Sequence, residues 1–368
     1  MKKFKEISYI PNINFYLLNP FFNFFSKKST IFLFSFINKF KIIYIYIKFF
    51  IDFYSRSKKS YFTNSISDCK EKYNTINKEN PNYLILSSFD EKNLAELKKN
   101  GIVVINDFIN DDILSKISPQ IDKNFKDMNV INSSYEGNQF PSTSFLNYEE
   151  AKSFLPNLIL FNPYLNIQGL LNLTFNKRLL SLVSNFYGYI PTFSEPNIIR
   201  SFPPVLDGKM KEASFWHKDS NDDKNYLQLF LYLNNVDKYG GPFLYLRNSH
   251  KNSLKSYLPL YDLEKNYLEN FGRVSDFEIK KFYKKEDVLE LHGKAGTLII
   301  ADTTGFHRGP FWDLNNLQFL KERTLINISV TSGNRYLRIN KKNKISPKVL
   351  EEDFLKLDSV QKEFYYNS

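Results

Sequence analysis

Only four histidines occur in this chain, and histidine is the side chain that most often binds transition metals in proteins. His217 lies in the segment F-W-H-K-D at 215–219, two positions before Asp219. In an extended segment, residues two apart point to the same side, so this spacing brings an imidazole and a carboxylate together. The motif is short, but it precedes an apolar run that is typical of a strand. His250 and His292 fall at predicted turns, and we interpret both as structural.

A second motif, D-T-T-G-F-H-R-G-P at 302–310, places His307 directly after a strand predicted at 297–301. Two histidines and one carboxylate are the set that binds one face of Fe(II) and leaves three coordination positions open. Open positions are what a catalytic metal needs for its reactants. The predicted metal ligands are therefore His217, Asp219 and His307.

The elements that must hold these residues follow from hydrophobic periodicity and from glycine stops. Predicted helices at 111–121 and 169–187 precede predicted strands at 197–202, 226–233, 243–246, 297–301 and 323–331. In the last strand the alternate residues from Arg323 to Ser329 form a largely polar face, which suits the wall of a polar cavity. Helices first and antiparallel strands afterwards predict an α+β chain with a β-barrel or sandwich core.

Composition limits the classes of protein to be considered. Hydrophobic residues make up 42% of the 368 positions and charged residues 24%, which supports a buried core rather than disorder. The net charge of +11 comes from scattered lysines without a nucleic-acid-binding motif, so no nucleic-acid partner is expected. The single cysteine, Cys69, excludes an intrachain disulfide and is compatible with a cytoplasmic protein.

The first part of the chain differs from the rest in composition. Segment 31–54 is long and apolar, with lysines at intervals, and it predicts an amphipathic helix. This helix packs either on the protein or a partner, or on a membrane surface, whereas its central lysines argue against a membrane span. Residues 55–82 are polar and predict a linker. The predicted organisation is an N-terminal extension and linker at 1–82, a catalytic domain at 83–340 and a tail at 341–368.

Over about residues 95–335 the sequence resembles the phytanoyl-CoA hydroxylase (phytanoyl-CoA dioxygenase) family of Fe(II)/2-oxoglutarate-dependent oxygenases. The resemblance rests on N-G-I-V-V-I-N-D-F at 100–108, the F-W-H-K-D motif, the hairpin L-F-L-Y-L-N-N-V-D-K-Y-G-G-P-F-L-Y-L-R-N-S-H at 229–250, and A-G-T-L-I-I-A-D-T-T-G-F-H-R-G-P at 295–310. It implies a double-stranded β-helix core (jelly-roll or cupin-like) with flanking helices. It also implies Fe(II), 2-oxoglutarate as cosubstrate and O2, with a C–H bond hydroxylated as 2-oxoglutarate yields succinate and CO2.

The resemblance also implies roles for residues around the metal. The family's cosubstrate arginine follows the distal histidine, and Arg323 lies sixteen positions after His307, at the start of a predicted strand. A guanidinium fork there can hold the distal carboxylate of 2-oxoglutarate in bidentate fashion. Arg308 is the rival anchor, but it adjoins a ligand and should point away from the metal. Further candidates are Gln228 and Thr303 for the cosubstrate, and Arg200, Asn197 and Trp216 for the substrate.

Two alternatives remain open from the sequence. One is a metal-dependent enzyme on a similar barrel that does not use 2-oxoglutarate. The other is a membrane-associated interaction protein without activity, in which the apolar segment 31–54 makes peripheral membrane contact. The substrate is a small molecule or an acyl or lipid compound, and the sequence does not distinguish among these.

Overall fold

The computed structural model describes residues 63–127, 147–161, 163–203, 214–219, 226–250, 273–331 and 349–366. The predicted apolar helix at 31–54 lies outside these residues, and so does the membrane contact proposed for it. Among the described helices, none combines the length and the apolar character that crossing a membrane requires.

Helices precede the main run of strands, as the sequence predicts. The described helices are α1 (Thr63–Glu79), α2 (Ser88–Asn100), α3 (Asp111–Lys126), α4 (Tyr148–Phe154), α5 (Leu170–Thr174), α6 (Lys177–Tyr187), α7 (Asp276–Phe282), α8 (Glu351–Leu355) and α9 (Ser359–Tyr366). The Asn110 side chain accepts a hydrogen bond from the backbone of Ile113 and so begins α3. Gly101, at φ 81°, ends α2 in the left-handed conformation that glycine adopts without strain.

Two antiparallel sheets form the centre of the molecule. Their strands are β1 (Ile102–Ile105), β2 (Asn157–Leu160), β3 (Thr192–Phe193), β4 (Asn197–Ser201), β5 (Leu227–Tyr232), β6 (Phe243–Leu246), β7 (Val288–Leu291), β8 (Leu298–Asp302), β9 (His307–Arg308) and β10 (Arg323–Thr331). The larger sheet has the order β1-β8-β5-β10-β4-β2, with β3 also paired to β10, and the smaller has the order β7-β6-β9.

The chain passes back and forth between the two sheets. From β4 onward it enters the smaller sheet at 216–217, returns at β5, crosses again for β6 and β7, and alternates through β8, β9 and β10. This winding is that of a jelly roll, or double-stranded β-helix. Side chains from both sheets meet in one buried cluster between them: Ile102, Tyr232, Val236, Phe243, Tyr245, Leu291, Ile299, Ala301 and Leu325.

Helices cover the outer face of the larger sheet and form the largest buried cluster with it. Cys69 and Ile76 of α1 are buried there, with partly buried Tyr73 between them. Spacings of four and seven put these three residues on one side of a helix. The sequence predicts a linker at 55–82, and the described part of that range instead contains α1, packed on the core. The C-terminal helix α9 contributes Val360 and Phe364 to the same cluster.

A third cluster covers the outer face of the smaller sheet. Trp216, Leu244, Leu246 and Phe306 pack there against Ile279 of α7 and its neighbours. The described part of 251–290, from residue 273, supplies this covering helix and the start of β7. The strands predicted at 243–246 and 323–331 are confirmed at those bounds, and the other three are confirmed within one residue.

Candidate metal centre

Strand pairing in the smaller sheet sets which side chains face the space between the sheets. Tyr245 lies inside, and its register partner is His307, so His307 also points inward. His217 and His307 exchange backbone hydrogen bonds of 3.0 and 2.9 Å and form an antiparallel bridge. Two positions on, the Asp219 amide donates to the Thr303 carbonyl at 2.8 Å. Alternation therefore brings both histidines and the aspartate to one side.

These three side chains are close enough to share one ion. One potential ligand atom from each of His217, Asp219 and His307 lies within 4.8 Å of the others. The carboxylate oxygens of Asp219 lie 4.0 Å from Nε2 of His217 and 3.6 Å from Nε2 of His307. Ligand atoms about 2.1 Å from a common ion are at most about 4.2 Å apart. Both distances meet this limit, and the predicted triad is brought together by the fold.

Backbone carbonyls fix the orientation of both imidazole rings. Nδ1 of His217 lies 2.8 Å from the carbonyl oxygen of Phe215, and Nδ1 of His307 lies 3.0 Å from that of Gly305. A carbonyl oxygen only accepts hydrogen bonds, so each Nδ1 must carry the proton. The unprotonated Nε2 atoms then face the carboxylate. This is the usual arrangement of metal-binding histidines, whose second nitrogen is held by an outer partner.

The electrostatics of the site keep both rings neutral. Burial holds the pKa of His217 well below its usual value of 6.5, and the neighbouring His307 and Arg273 lower that pKa further. Burial also lowers the pKa of His307, although the nearby Asp219 carboxylate acts in the opposite direction. Only a neutral imidazole has a lone pair for a metal, so these shifts favour metal binding at neutral pH.

Arg323 begins β10 and points into the same interior. It is only 5% exposed, its Nη1 donates to the carbonyl of Gly241 at 2.8 Å, and its Nε has no hydrogen-bond partner. Among the described residues no carboxylate pairs with it, and burial lowers its pKa, although a side-chain hydrogen bond with Tyr232 acts in the opposite direction. An arginine nevertheless keeps its charge in proteins. A buried guanidinium of this kind fits the carboxylate of a ligand.

The weaker candidates Gln228, Thr303 and Asn197 lie farther along the interior. Gln228 forms a closed ring of hydrogen bonds of 3.0 to 3.2 Å with Tyr226 and Ser329. Ser329 is six positions from Arg323, about 20 Å along an extended strand, so Gln228 lies at the opposite end from Arg323. The carbonyl of Thr303 is tied to Asp219, and Asn197 pairs in register with Asn327.

Arg200 and Trp216 do not reach the metal-facing side. Arg200 lies on the helix-covered face of the larger sheet, where it donates to Thr324 at 3.0 Å and pairs with Asp122. Trp216 is 1% exposed and packs behind the smaller sheet. The structure thus places both predicted substrate residues on outer faces, because their neighbours in sequence occupy the inner ones.

The rival anchor, Arg308, points outward as the sequence predicts. Its register partner Leu244 belongs to the outer cluster, and its guanidinium lies against the rings of Trp216 and Phe311 at 4.6 and 4.1 Å. Its Nη1 donates to Asp276 at 3.0 Å. The structure therefore leaves Arg323 as the buried arginine on the metal side.

Arg273 is a residue that the sequence reasoning missed. The antiparallel bridge between Trp216 and Val274 places Arg273 opposite His217, on the metal side, and its charge lowers the pKa of both histidines. The signal available in the sequence was the scarcity of arginine, with nine in 368 residues.

Comparison with known proteins gives structural neighbours only. No family model matches the chain, and no curated protein sequence matches it. A non-haem alpha-ketoglutarate-dependent epimerase, SnoN, from nogalamycin biosynthesis is similar over 71% of this chain and 93% of its own, at 11% identity and a TM-score of 0.44. The carbocyclase SnoK of the same biosynthesis is similar over 67% and 84%, at 10% identity and 0.45. EctD from S. alaskensis with bound Fe is similar over 68% and 78%, at 14% identity and 0.42.

Proposed function

We propose that this chain is an Fe(II)- and 2-oxoglutarate-dependent oxygenase that hydroxylates a C–H bond of a small-molecule or acyl substrate. The observation that carries the proposal is the triad of His217, Asp219 and His307, with both Nδ1 protons committed to carbonyls and both Nε2 atoms turned to the carboxylate. Two histidines and one carboxylate on one side leave coordination positions for other ligands. Its resemblance in motifs to the phytanoyl-CoA hydroxylase family supports the same proposal.

The second support is the charge of Arg323. A charge buried without an opposite charge costs several kcal/mol by general estimates, and a bound carboxylate offsets that cost. Nη1 is already used by Gly241, whereas Nε has no partner. The distal carboxylate of 2-oxoglutarate would supply the acceptor. This distinguishes the proposal from a metal enzyme on the same barrel that lacks 2-oxoglutarate, which has no need of Arg323.

Each residue then has a separate task. Fe(II), 2-oxoglutarate and O2, when bound, supply the oxidising power for hydroxylation, and 2-oxoglutarate leaves as succinate and CO2. His217, Asp219 and His307 hold the metal on one side. Arg323 orients the cosubstrate from the closed end of the interior, where Leu325 beside it is also buried. The apolar cluster between the sheets, including Phe243 against His307 at 5.5 Å, keeps water from the metal's inner side.

The mouth of the interior favours a substrate with polar groups. The inner face of β10 becomes more exposed from Leu325 to Asn327 and Ser329, so the opening lies at that end. Asn197 offers an amide there, the hydrogen-bonded ring of Tyr226, Gln228 and Ser329 lies at the same end, and the buried Oδ1 of Asn327 has no hydrogen-bond partner. We infer that the substrate presents hydrogen-bond donors at this opening.

An anaerobic titration with Fe(II) and 2-oxoglutarate tests the proposal directly. We expect a visible metal-to-ligand charge-transfer band in the wild-type chain, and none in His217→Ala. His292→Ala is the matched control, because His292 is half-exposed and bonded to Glu290 at 2.8 Å. A well-folded wild-type protein without the band, or a band that survives in His217→Ala, would defeat the proposal. Fe(II) binding without any effect of 2-oxoglutarate would favour the alternative metal enzyme.

A further inference from the structure

Both histidine ligands have a neighbour in sequence that points the other way, behind the smaller sheet. Trp216 precedes His217 and Arg308 follows His307, and these two outward side chains are in contact, with the guanidinium 4.6 Å from the indole ring. Behind the bridge between His217 and His307, the side chains of Trp216 and Arg308 therefore form a second contact between the same two segments.

One carboxylate joins the two outward residues. Trp216 donates from Nε1 to Oδ1 of Asp276 at 2.8 Å, and Arg308 donates from Nη1 to Oδ2 of the same carboxylate at 3.0 Å. Each oxygen thus serves a different ligand-bearing segment. The guanidinium also lies over the ring of Phe311, with Cζ 4.1 Å from the ring centroid.

The position of Asp276 is itself fixed by local structure. Val274 and Trp216 exchange backbone hydrogen bonds of 2.8 and 3.2 Å, which joins this segment to the edge of the smaller sheet. Ser275 then caps α7, and its side chain and that of Glu278 form a reciprocal capping box. Asp276 is the first residue of that helix, so its backbone is held from both sides.

We propose that Asp276 is a positioning residue for the metal site, tying Trp216 to Arg308 and so holding His217 and His307 at the spacing that one ion requires. The inference rests on the proposed metal function and adds a residue to it. Asp276 touches neither metal nor substrate. Outer residues that orient metal ligands typically change metal affinity 10- to 100-fold when they are replaced.

The test is Co(II) binding, followed by the absorbance of Co(II) in the folded protein without cosubstrate or turnover. Asp276→Asn keeps an acceptor for Trp216 but removes the charge that Arg308 faces. We expect Co(II) affinity to fall about tenfold or more. Glu286→Gln is the matched control, since Glu286 is an acid ten positions along with a largely exposed side chain, and it should bind Co(II) as the wild type does.

Two more variants separate positioning from general stability. Trp216→Phe removes the Nε1 donor and keeps most of the packing, so it should weaken Co(II) binding less than Asp276→Asn. It also serves if Asp276→Asn does not fold. In a double-mutant cycle, Arg308→Met should add little to Asp276→Asn, because the tie is already broken.

The outcomes are distinct. Co(II) affinity in folded Asp276→Asn and Trp216→Phe within twofold of the wild type would overturn the proposal, even if their unfolding midpoints fall. An equal loss in Glu286→Gln would also overturn it. Failure of the wild-type protein itself to bind Co(II) or Fe(II) would instead remove the proposed function, and the positioning role with it.

Discussion

Residues next to each other in a strand of the smaller sheet face opposite ways, one toward the interior and one toward the covering helix. The two buried arginines near these faces, Arg308 and Arg323, differ in the partners of their guanidinium groups. Arg308, on the outer face, is 5% exposed, pairs with the carboxylate of Asp276 and lies against two aromatic rings. Arg323, on the inner side, is equally buried, but its partners are the Gly241 carbonyl and the Tyr232 side chain, and no carboxylate among the described residues pairs with it. Nε has no hydrogen-bond partner in either arginine, so the carboxylate is what differs.

Under the proposed function, this difference separates a structural arginine from one that binds a ligand. The charge of a buried guanidinium that pairs with a protein carboxylate is compensated within the fold, whereas a buried guanidinium without an anion is costly until a ligand brings one. Arg200 belongs with Arg308, since Asp122, Thr324 and Tyr148 surround it. Burial alone does not distinguish the two classes; the acceptors do.

The largest expected effect comes from comparing neighbours on the two faces. We expect His307→Ala to abolish saturable Co(II) or Fe(II) binding, a loss of at least about 100-fold or ~2.7 kcal/mol. Arg308→Met, one position on, should weaken metal binding about 10- to 100-fold through the outer tie and leave it measurable. Isothermal titration of both folded variants measures this, and equal affinities in the two variants would contradict the division into faces.

The second prediction concerns Arg323→Met. We expect 2-oxoglutarate affinity to fall by about 2–5 kcal/mol, because a buried charge pair with the ligand is lost. The free energy of unfolding of the ligand-free protein should stay the same or rise, since an unpaired buried charge is removed. Charge-transfer titration and urea unfolding measure the two effects. A destabilised protein with unchanged 2-oxoglutarate affinity would move Arg323 into the structural class.

A smaller and opposite result is expected for Arg200→Met. Its hydrogen bonds to Asp122, Thr324 and Tyr148 would be lost, which should lower the free energy of unfolding by about 1–3 kcal/mol. Affinities for metal and 2-oxoglutarate should match the wild type. Urea unfolding and the same titrations provide the measurement, and weakened 2-oxoglutarate binding in a stable variant would show that Arg200 reaches the site.

The smallest effect is a dependence of stability on pH. The pKa values of His217 and His307 are lowered in the folded protein, so the unfolded chain takes up protons first as pH falls through 6.5. The metal-free protein should therefore lose about 1 kcal/mol of stability between pH 7.5 and 6. Asp302, whose pKa is raised to about 6 by burial, acts in the opposite direction between about pH 4 and 6.

Urea unfolding at pH 7.5 and pH 6 measures this change. In His217→Gln the decrease should be smaller by roughly half, because one of the two groups no longer titrates. A wild-type stability that is constant or rises on acidification would mean that the histidines are protonated in the folded state and unsuited to a metal.

Part of the candidate site could be predicted from the sequence, because that part depends on local geometry. The i, i+2 spacing of His217 and Asp219 fixes their common side in any extended segment. The position of His307 after an apolar strand, and the polar face that begins at Arg323, follow from the same alternation. The same alternation holds for β4: Asn197 and Arg200 are three positions apart in one strand, so their side chains cannot both face the interior.

Other features were decided only by tertiary structure. The alternation of side chains along a strand predicts that Trp216 and His217 face opposite ways. Which of the two faces inward depends on how one sheet packs on the other. The approach of Asp276 to Arg308 and of Arg273 to His217 joins segments tens of residues apart, so no local pattern contains it. The sequence by itself determined which residues are suited to hold a metal. The packing of one sheet on the other decided which arginine is left to meet a ligand, because that packing determines where each side chain finds its acceptors.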